Sequence, residues 1–469
     1  MSKTENNLME KIVSLCKRRG FVYPGSEIYG GLANTYSYGP LGAQLKNNIK
    51  HVWWKYFVED REDMVGLDGG ILLSPKVWEA SGHIQNFKDP LAECKKCHHR
   101  FREDLIEGNP PSHKASAGKC PDCGGALTEP KMFSGLFKTV IGPVEEEGIV
   151  TYLRPETAQA IFIDFKNILN STSKKLPFGV GQIGKAFRNE ITTGNFIFRT
   201  FEFEQMEIEY FISPDDNWKK IFETWVDYMH GFAEIIGLSR KKLHDVEIPE
   251  KERAFYSKRT IDMEYDFPFG QSELWAIAYR TDYDLKRHQE ASGENLEYFD
   301  EKGKSAKGGS ASGGKKFIPH VIEPSFGVDR IILAILSEAY HEEKDEKGET
   351  RIVLKIQPNL APYKIAVCPL LANKEKLVKQ AREIYDLLRK KYYCAWDDRG
   401  NIGKRYRSQD EIGTPYFITV DFETLDDKAV TVRDRDTMKQ DRIKIEGLID
   451  YFSQKLEGIP ISSKSLDLV

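Results

Sequence analysis

The chain has 469 residues, enough for two or three domains with buried cores. Its 40% hydrophobic and 30% charged residues describe an ordinary globular protein, and no apolar run approaches the roughly 18 residues of a membrane span, so no membrane partner is expected. A net charge of -4 excludes a surface built wholly to grip nucleic acid, and seven cysteines, four of them in two Cys-x-x-Cys pairs, suit a reducing cytoplasm better than a disulfide framework.

The first segment, MSKTENNLMEKIVSLCKRRG, has charges on both sides of its few apolar residues and reads as a short amphipathic helix, not a signal peptide. Residues 20–42 are dense in Gly, aromatic and turn residues. Helical spacing then takes over through Ala43–Phe57, where Leu45, Ile49, Val52, Trp53 and Tyr56 recur on one face. Residues 91–131 form a polar insert carrying Cys94-x-x-Cys97 and Cys120-x-x-Cys123. Two such knuckles supply four thiolates for tetrahedral Zn²⁺ and leave no open position, which predicts a structural zinc ribbon. His98, His99 and His113 are then expected at the surface. Gly179-x-Gly181-x-x-Gly184 matches the dinucleotide fingerprint, but Pro177 precedes it closely and a strand-like run follows it in place of a crossover helix.

That run, FRNEITTGNFIFRTFEFEQMEIEYF at 187–211, alternates acidic with aromatic and apolar side chains. As a strand it puts Phe201, Phe203, Gln205 and Glu207 on one face, and Glu202, Glu204, Met206, Ile208 and Tyr210 on the other. A face mixing rings, an amide and a carboxylate suits a ligand with a ring and a cationic group. Segments 132–335 alternate strand-like and helix-like texture, and 286–316 dissolves into Lys, Glu, Gly and Ser, the composition of a flexible loop. Within it GSASGGKK imitates a phosphate loop but places Lys316 where Ser or Thr is required. A strand then ends at Glu323-Pro324-Ser325, and Gly327 opens a helix lined by Val328, Ile331, Ile332, Ile335 and Leu336. Arg330 falls in its first turn, where a guanidinium joins the free N–H groups of the helix start. With Arg188, it could grip two phosphates of one nucleotide while Phe203 stacks on a base. From Leu360-Ala361-Pro362 onward, strand, helix, basic loop, two strands and a closing helix predict a separate α/β domain. Its Lys404, Arg405, Tyr406 and Arg407 group cations round a ring, as single-stranded RNA binding requires.

Taken together, GFVYPGSEIYGGLANTYSYGPLG, LRPETAQAIF, GQIGKAFRNEI, FRTFEFEQMEIEY, SELWAIAYRTDYDL and EPSFGVDR resemble the class II aminoacyl-tRNA synthetases, specifically the homodimeric glycyl type. The resemblance implies an α+β fold. Its catalytic domain, residues 1–360, would be an antiparallel sheet flanked by helices, with the zinc-ribbon insert at 91–131 and an insertion at 211–316 that ends in the 286–316 loop. An α/β anticodon-binding domain would fill 361–469, and the helix after Tyr38-Gly39-Pro40-Leu41-Gly42 would join a dimer interface. The implied activity is ligation of glycine to tRNA(Gly) in the cytoplasm, through glycyl-adenylate and release of pyrophosphate, then transfer to the terminal adenosine of tRNA.

By the same resemblance Arg188 and Arg330 are the catalytic arginines, on the α- and γ-phosphates. ATP would further meet Asn189, Glu190, Phe198, Arg199, Thr200, Phe201, Glu202, Phe203, Glu273, Leu274, Gly327, Val328 and Asp329, with Glu273 holding Mg²⁺. Glycine would meet Arg102, Glu156, Phe203, Glu204, Gln205, Met206, Glu207, Glu323, Pro324, Ser325, Phe326 and Gly327, its ammonium lying among Glu156, Glu207 and Glu323. Two other readings are a synthetase-like accessory subunit without catalysis and a class II enzyme for another amino acid. The phosphate-gripping arginines argue against the first, and the crowded acids against the second.

Overall fold

Period-two alternation builds the largest element. In the computed structural model, which describes residues 3–102, 119–190, 194–301, 314–344 and 348–456, seven strands form one twisted sheet. They are β1 (Met64–Leu67), β2 (Phe178–Phe187), β3 (Glu202–Ile212), β4 (Leu243–Glu247), β5 (Arg259–Phe267), β6 (Gly270–Thr281) and β7 (His320–Gly327). Their order is β4-β5-β6-β7-β3-β2-β1, and every pairing is antiparallel except β1 with β2 at one edge.

Helices cover the sheet because its two faces differ in chemistry. Those that matter are α1 (Lys3–Arg19), α2 (Pro40–Trp54), α3 (Ala158–Thr172), α4 (Trp218–Ile235), α5 (Tyr283–Ser292) and α6 (Val328–Ala339). Met206, Ile208 and Tyr210 of β3, Trp275, Ile277 and Tyr279 of β6 and Phe326 of β7 share one core with α1, α2, α4 and α6. On the other face α3 sets Phe162 and Phe165 against Phe178 and Phe211. It covers only the far end of β3, and the near end stays open as a cleft. Helix α2 starts three residues before the expected Ala43, with Pro40 at its first turn, and continues past Trp54 as a π turn through Lys55–Glu59 that buries Tyr56.

The glycine fingerprint serves packing. A Cβ on Gly184 would lie 2.1 Å from Arg154 Nη2, and one on Gly179 would lie 2.4 Å from Met64 Sδ. These glycines sit within β2, where they admit neighbouring side chains in place of a phosphate.

Two expectations need correcting. Residues 286–292 belong to α5, which buries Asp284, Leu285 and His288, and Tyr298–Asp300 pairs with Lys315–Phe317 as a hairpin. The composition hides this because three inward side chains suffice to dock so short a helix. Residues 302–313 of the expected loop lie outside the described residues. The basic stretch near 404 is likewise a helix.

That helix belongs to a second sheet, made of β8 (Ile365–Pro369), β9 (Cys394–Trp396), β10 (Tyr416–Val420), β11 (Ala429–Asp434) and β12 (Gln440–Lys444), in the order β9-β8-β10-β11-β12. Helices α7 (Glu375–Leu388) and α9 (Leu448–Leu456) bury Ile384 and Phe452 against Ile365 and Ile418, while α8 (Ile402–Glu411) packs elsewhere on the domain. Asn401 caps α8 by accepting from the Lys404 N–H. Arg405 is buried and donates to the carbonyls of Pro369 (2.6 Å) and Gly400 (2.9 Å), and Tyr406 shares a hydrogen bond with Thr419. Half of the proposed RNA cluster therefore holds the domain together, because a helix turns every third or fourth residue inward. The end of α8 also ties the two sheets to each other. Glu411 accepts from Arg18 (2.8 Å) and Arg19 (2.6 Å) of α1, and Asp410 accepts from Arg351 (2.9 Å) and both Nη atoms of Arg433.

Candidate active site

The open end of the sheet is a cleft of about 330 Å³. Two arginines stand at its rim, each held by a ring and a carbonyl. Arg188 follows β2 directly. Its Nε donates to the Pro155 carbonyl (3.0 Å), and its guanidinium lies 5.3 Å from the centre of the Phe203 ring and 5.6 Å from that of Phe87. Arg330, in the first turn of α6, lies 4.5 Å from the Phe198 ring and donates Nη1 to the Glu273 carbonyl (3.0 Å). The same nitrogen pairs with the Glu273 carboxylate at 2.9 Å, and Arg330 is the main reason that carboxyl is held below its ordinary range. Planar forks propped in this way keep donors in fixed directions, as recognition of a phosphate requires.

Carboxylates crowd the deep end. Glu207 of β3 accepts from Ser325 Oγ (3.1 Å) and from Thr157 Oγ1. Glu323 of β7 accepts from Arg280 Nη1 (2.6 Å), and Arg280 also binds Asp284 through two bonds of 2.8 and 2.9 Å. Arg280 is 0% exposed, and its guanidinium lies 3.7 Å from the Tyr256 ring centre. Glu156 accepts from Gln159 Nε2 (2.9 Å), faces His83 Nε2 at 3.3 Å and has Arg280 at 3.8 Å. These surroundings divide the acids electrostatically. Burial, then the Glu156 carboxylate, push Glu207 up, and burial pushes Glu323 well up. Glu156 lies below its ordinary range despite burial, because His83 and then Arg280 hold it there. Glu209, the next residue on the same face, is buried with both carboxylate oxygens unpartnered among the described residues, and its oxygens lie within 4.8 Å of those of Glu207 and Glu323.

This floor of acids with two arginines above it can hold an ammonium group and a polyphosphate end to end. Comparison with known proteins supplies the family. The tRNA synthetase class II core domain (G, H, P, S and T) matches residues 139–339, and the Anticodon binding domain matches residues 364–455. Glycine--tRNA ligase of Thermobifida fusca is 49% identical, covering 97% of this chain and 99% of its own length. The enzyme of the same name from Clostridium acetobutylicum is 50% identical over 97% of this chain and 100% of its own. The chain belongs to the glycine--tRNA ligase family.

Within that family frame, sixteen sequence-predicted positions line the cleft: Glu156, Arg188, Glu190, Phe198, Arg199, Thr200, Phe203, Gln205, Glu207, Glu273, Leu274, Glu323, Ser325, Gly327, Asp329 and Arg330. Other positions lie elsewhere for reasons of geometry. Alternation carries Glu204 and Met206 to the opposite face, where Glu204 pairs with Lys46 and Lys50 and Met206 enters the core. Phe326 and Val328 are core residues too. Pro324 is buried within β7, Phe201 packs edge-on against Phe137, and Glu202 pairs with Lys185 in solvent. Asn189 turns away from the cleft to donate towards Ser134 O (3.4 Å). Arg102 pairs with Leu91 through its backbone, and its side chain lies outside the described residues.

Sequence reasoning missed Arg280, Thr157, Gln159 and His83. A signal for Arg280 existed. In Trp275-Ala276-Ile277-Ala278-Tyr279-Arg280 large side chains alternate with small ones, so the small face is the cleft floor and the Arg ends it.

Asp262, on β5 beside Glu273, also lines the cleft, and burial followed by Glu273 and Glu264 pushes its carboxyl up to about 7. The folded protein therefore binds a proton there that the unfolded chain has released, so stability falls as pH rises from about 4 to about 7. Asp262→Asn is expected to raise the urea midpoint at pH 7.5 and to leave it unchanged near pH 4.

The paired cysteines meet as their spacing predicts. Cys94 Sγ lies 3.5 Å from Cys123 Sγ, and Cys97 Sγ lies 3.6 Å from Cys120 Sγ, while all four lie within 4.8 Å. Tetrahedral Zn–S bonds would separate sulfurs by about 3.8 Å. The N–H groups of Cys97 and Lys96 point at Cys94 Sγ and lower that thiol to about 6. His98 and His99 are exposed and pair with Glu93 and Asp122, while His113 lies outside the described residues.

Proposed function

We propose that this chain ligates glycine to tRNA(Gly) in two steps. A carboxylate oxygen of glycine attacks the α-phosphorus of ATP, the bond to the β-phosphate breaks, and pyrophosphate leaves glycyl-adenylate behind. A hydroxyl of the terminal adenosine of tRNA then attacks the glycyl carbonyl, and AMP departs. Convergence of Arg188 and Arg330 above a floor of three carboxylates supports this reading most directly.

In it Arg188 binds the α-phosphate and the glycine carboxylate, Phe203 stacks on adenine, and Arg330 takes the γ-phosphate. No residue acts as a covalent nucleophile, since positioning and charge neutralisation serve such a transfer. Mg²⁺ held by Glu273 would neutralise charge on the departing pyrophosphate. The ammonium of glycine sits among Glu156, Glu207 and Glu323, with Ser325 alongside. A rigid site already filled at this depth discriminates against alanine by overlap with its methyl group. Glu190, Arg199 and Thr200 line the nucleotide end, and Gln205 the floor.

Zinc on Cys94, Cys97, Cys120 and Cys123 would be structural, and the sulfur separations suit it. Zinc content of the purified chain is expected near one ion, and Cys94→Ser with Cys120→Ser should abolish it; an unchanged zinc signal would refute this site. A homodimer in the cytoplasm completes the reading, supported by the largely exposed Ile28, Tyr29 and Leu32 near the Tyr38–Gly42 segment. No described helix is long and apolar enough to cross a membrane.

The test is ATP–pyrophosphate exchange with a panel of amino acids. Exchange driven by glycine supports the proposal. Exchange with alanine or serine but not glycine would replace it with another specificity, and none with any amino acid would favour an accessory subunit.

A further inference from the structure

Glu156 differs from its neighbours in how it is held. Glu207 receives two hydroxyl donors, and Glu209 receives no partner among the described residues. Both oxygens of Glu156 are instead occupied by nitrogen donors, one from Gln159 and one from His83. His83 lies outside the cleft lining and is 2% exposed, so it does not meet a ligand itself. It begins the short helix His83–Asn86, directly after Gly82, whose φ of 87° turns the chain back so that Ser81 and His83 face each other. Ser81 Oγ and His83 Nδ1 are 2.8 Å apart, and Trp78 and Phe87 clasp the ring at 5.5 and 5.8 Å between centres.

We propose that Ser81 and His83 are positioning residues for the amino-acid pocket: Ser81 fixes the imidazole, and the imidazole fixes Glu156 to receive the substrate ammonium. This rests on the glycine reading of the cleft. A carboxylate can only accept, so Nε2 must carry the hydrogen directed at Glu156 whatever the charge of the ring. At the other nitrogen, Nδ1 accepts from the Ser81 hydroxyl when the ring is neutral and donates to Ser81 Oγ when it is charged, so the one contact fixes the imidazole in either form. The arrangement answers a specific difficulty. Glu207, Glu209 and Glu323 stand within 4.8 Å of one another and cannot all be charged at modest cost. Glu156, flanked by His83 and Arg280, is the acid the surroundings keep ionised, so the ammonium meets at least one full negative charge in a fixed place.

The experiment titrates glycine and ATP separately in pyrophosphate exchange with the full chain. His83→Ala should raise the KM for glycine about tenfold or more, the loss expected for one hydrogen bond to a charged group, with the KM for ATP within about twofold. His83→Gln, whose amide can replace the ring donor, should recover most of that loss. Ser81→Ala should show a smaller rise of the same kind. The proposal is overturned if His83→Ala moves both KM values together, if the glycine KM is unchanged, or if His83→Gln is no better than His83→Ala. Should His83→Ala fail to fold, Ser81→Ala and His83→Gln decide the matter: an unchanged glycine KM in Ser81→Ala, with a full tenfold loss in His83→Gln, would overturn it. Wild-type protein that shows no exchange with glycine would instead bring down the functional reading. Glycine exchange by wild type, with a glycine KM indifferent to His83, brings down only the positioning role.

Discussion

Arg188→Ala is expected to lower glycine-dependent pyrophosphate exchange by about 10³-fold, the scale on which a single preorganised charge stabiliser contributes to phosphoryl transfer. The side chain is propped by one hydrogen bond to Pro155 O and by the rings of Phe87 and Phe203, so its removal breaks no ion pair of the fold described above. Melting temperature should therefore change little while kcat falls. Arg188→Lys should recover only a small part, because an ammonium cannot present two parallel donors to phosphate and carboxylate at once. Stopped-flow or filter-based exchange measures the effect directly. Activity within tenfold of wild type would remove Arg188 from the reaction.

The second large effect falls on the fold as well as the chemistry. Arg280 is the principal cation among Glu156, Asp284 and Glu323, and all four side chains are buried. Exchanging a whole buried ionic cluster for apolar residues can be neutral, but removing a single partner leaves charges without compensation. Arg280→Met should accordingly cost about 3–5 kcal/mol, read from urea unfolding, together with loss of glycine activation. The deficit should depend on pH in a definite sense. Without Arg280 the folded-state pKa values of Glu156 and Glu323 rise, because that guanidinium holds both of them down. The unfolded chains titrate alike, so the added penalty is absent where both folded proteins hold these groups protonated and grows as pH rises from the wild-type folded values, low for Glu156 and high for Glu323, towards the raised values of the variant. A deficit that was constant from pH 4.5 to 8 would contradict this account.

How far the sequence could foretell this site is best judged strand by strand. On β3, alternation correctly separates Phe203, Gln205 and Glu207 from Met206, Ile208 and Tyr210, because a side chain's face follows from its parity alone. Two cysteine knuckles likewise converge because each is local. What parity cannot supply is a partner distant in sequence. Arg280 reaches Glu323 only because β6 pairs with β7, which sets Ala278 opposite Glu323, and His83 reaches Glu156 through helices that flank the sheet. Arg405 failed in the other direction. Read as a string, it is one cation in a basic cluster, and only its helical phase relative to Asn401 reveals that it turns inward. Composition misled at 286–292 for a similar reason, since the three residues that dock α5 are diluted by polar neighbours.

The ion pairs between α1 and the end of α8 set an order of events during synthesis. Arg18 and Glu411 are separated by 393 positions, so on a ribosome adding about 5–20 residues per second the first helix emerges roughly 20–80 s before its acidic partner. Throughout that interval Arg18 and Arg19 have no Glu411 to bind, and α1 must rely on Ile12, Leu15 and Cys16 to stay seated on the nascent catalytic sheet. The closing of the clamp is thus a late folding event for α1, available only once Glu411 has been synthesised.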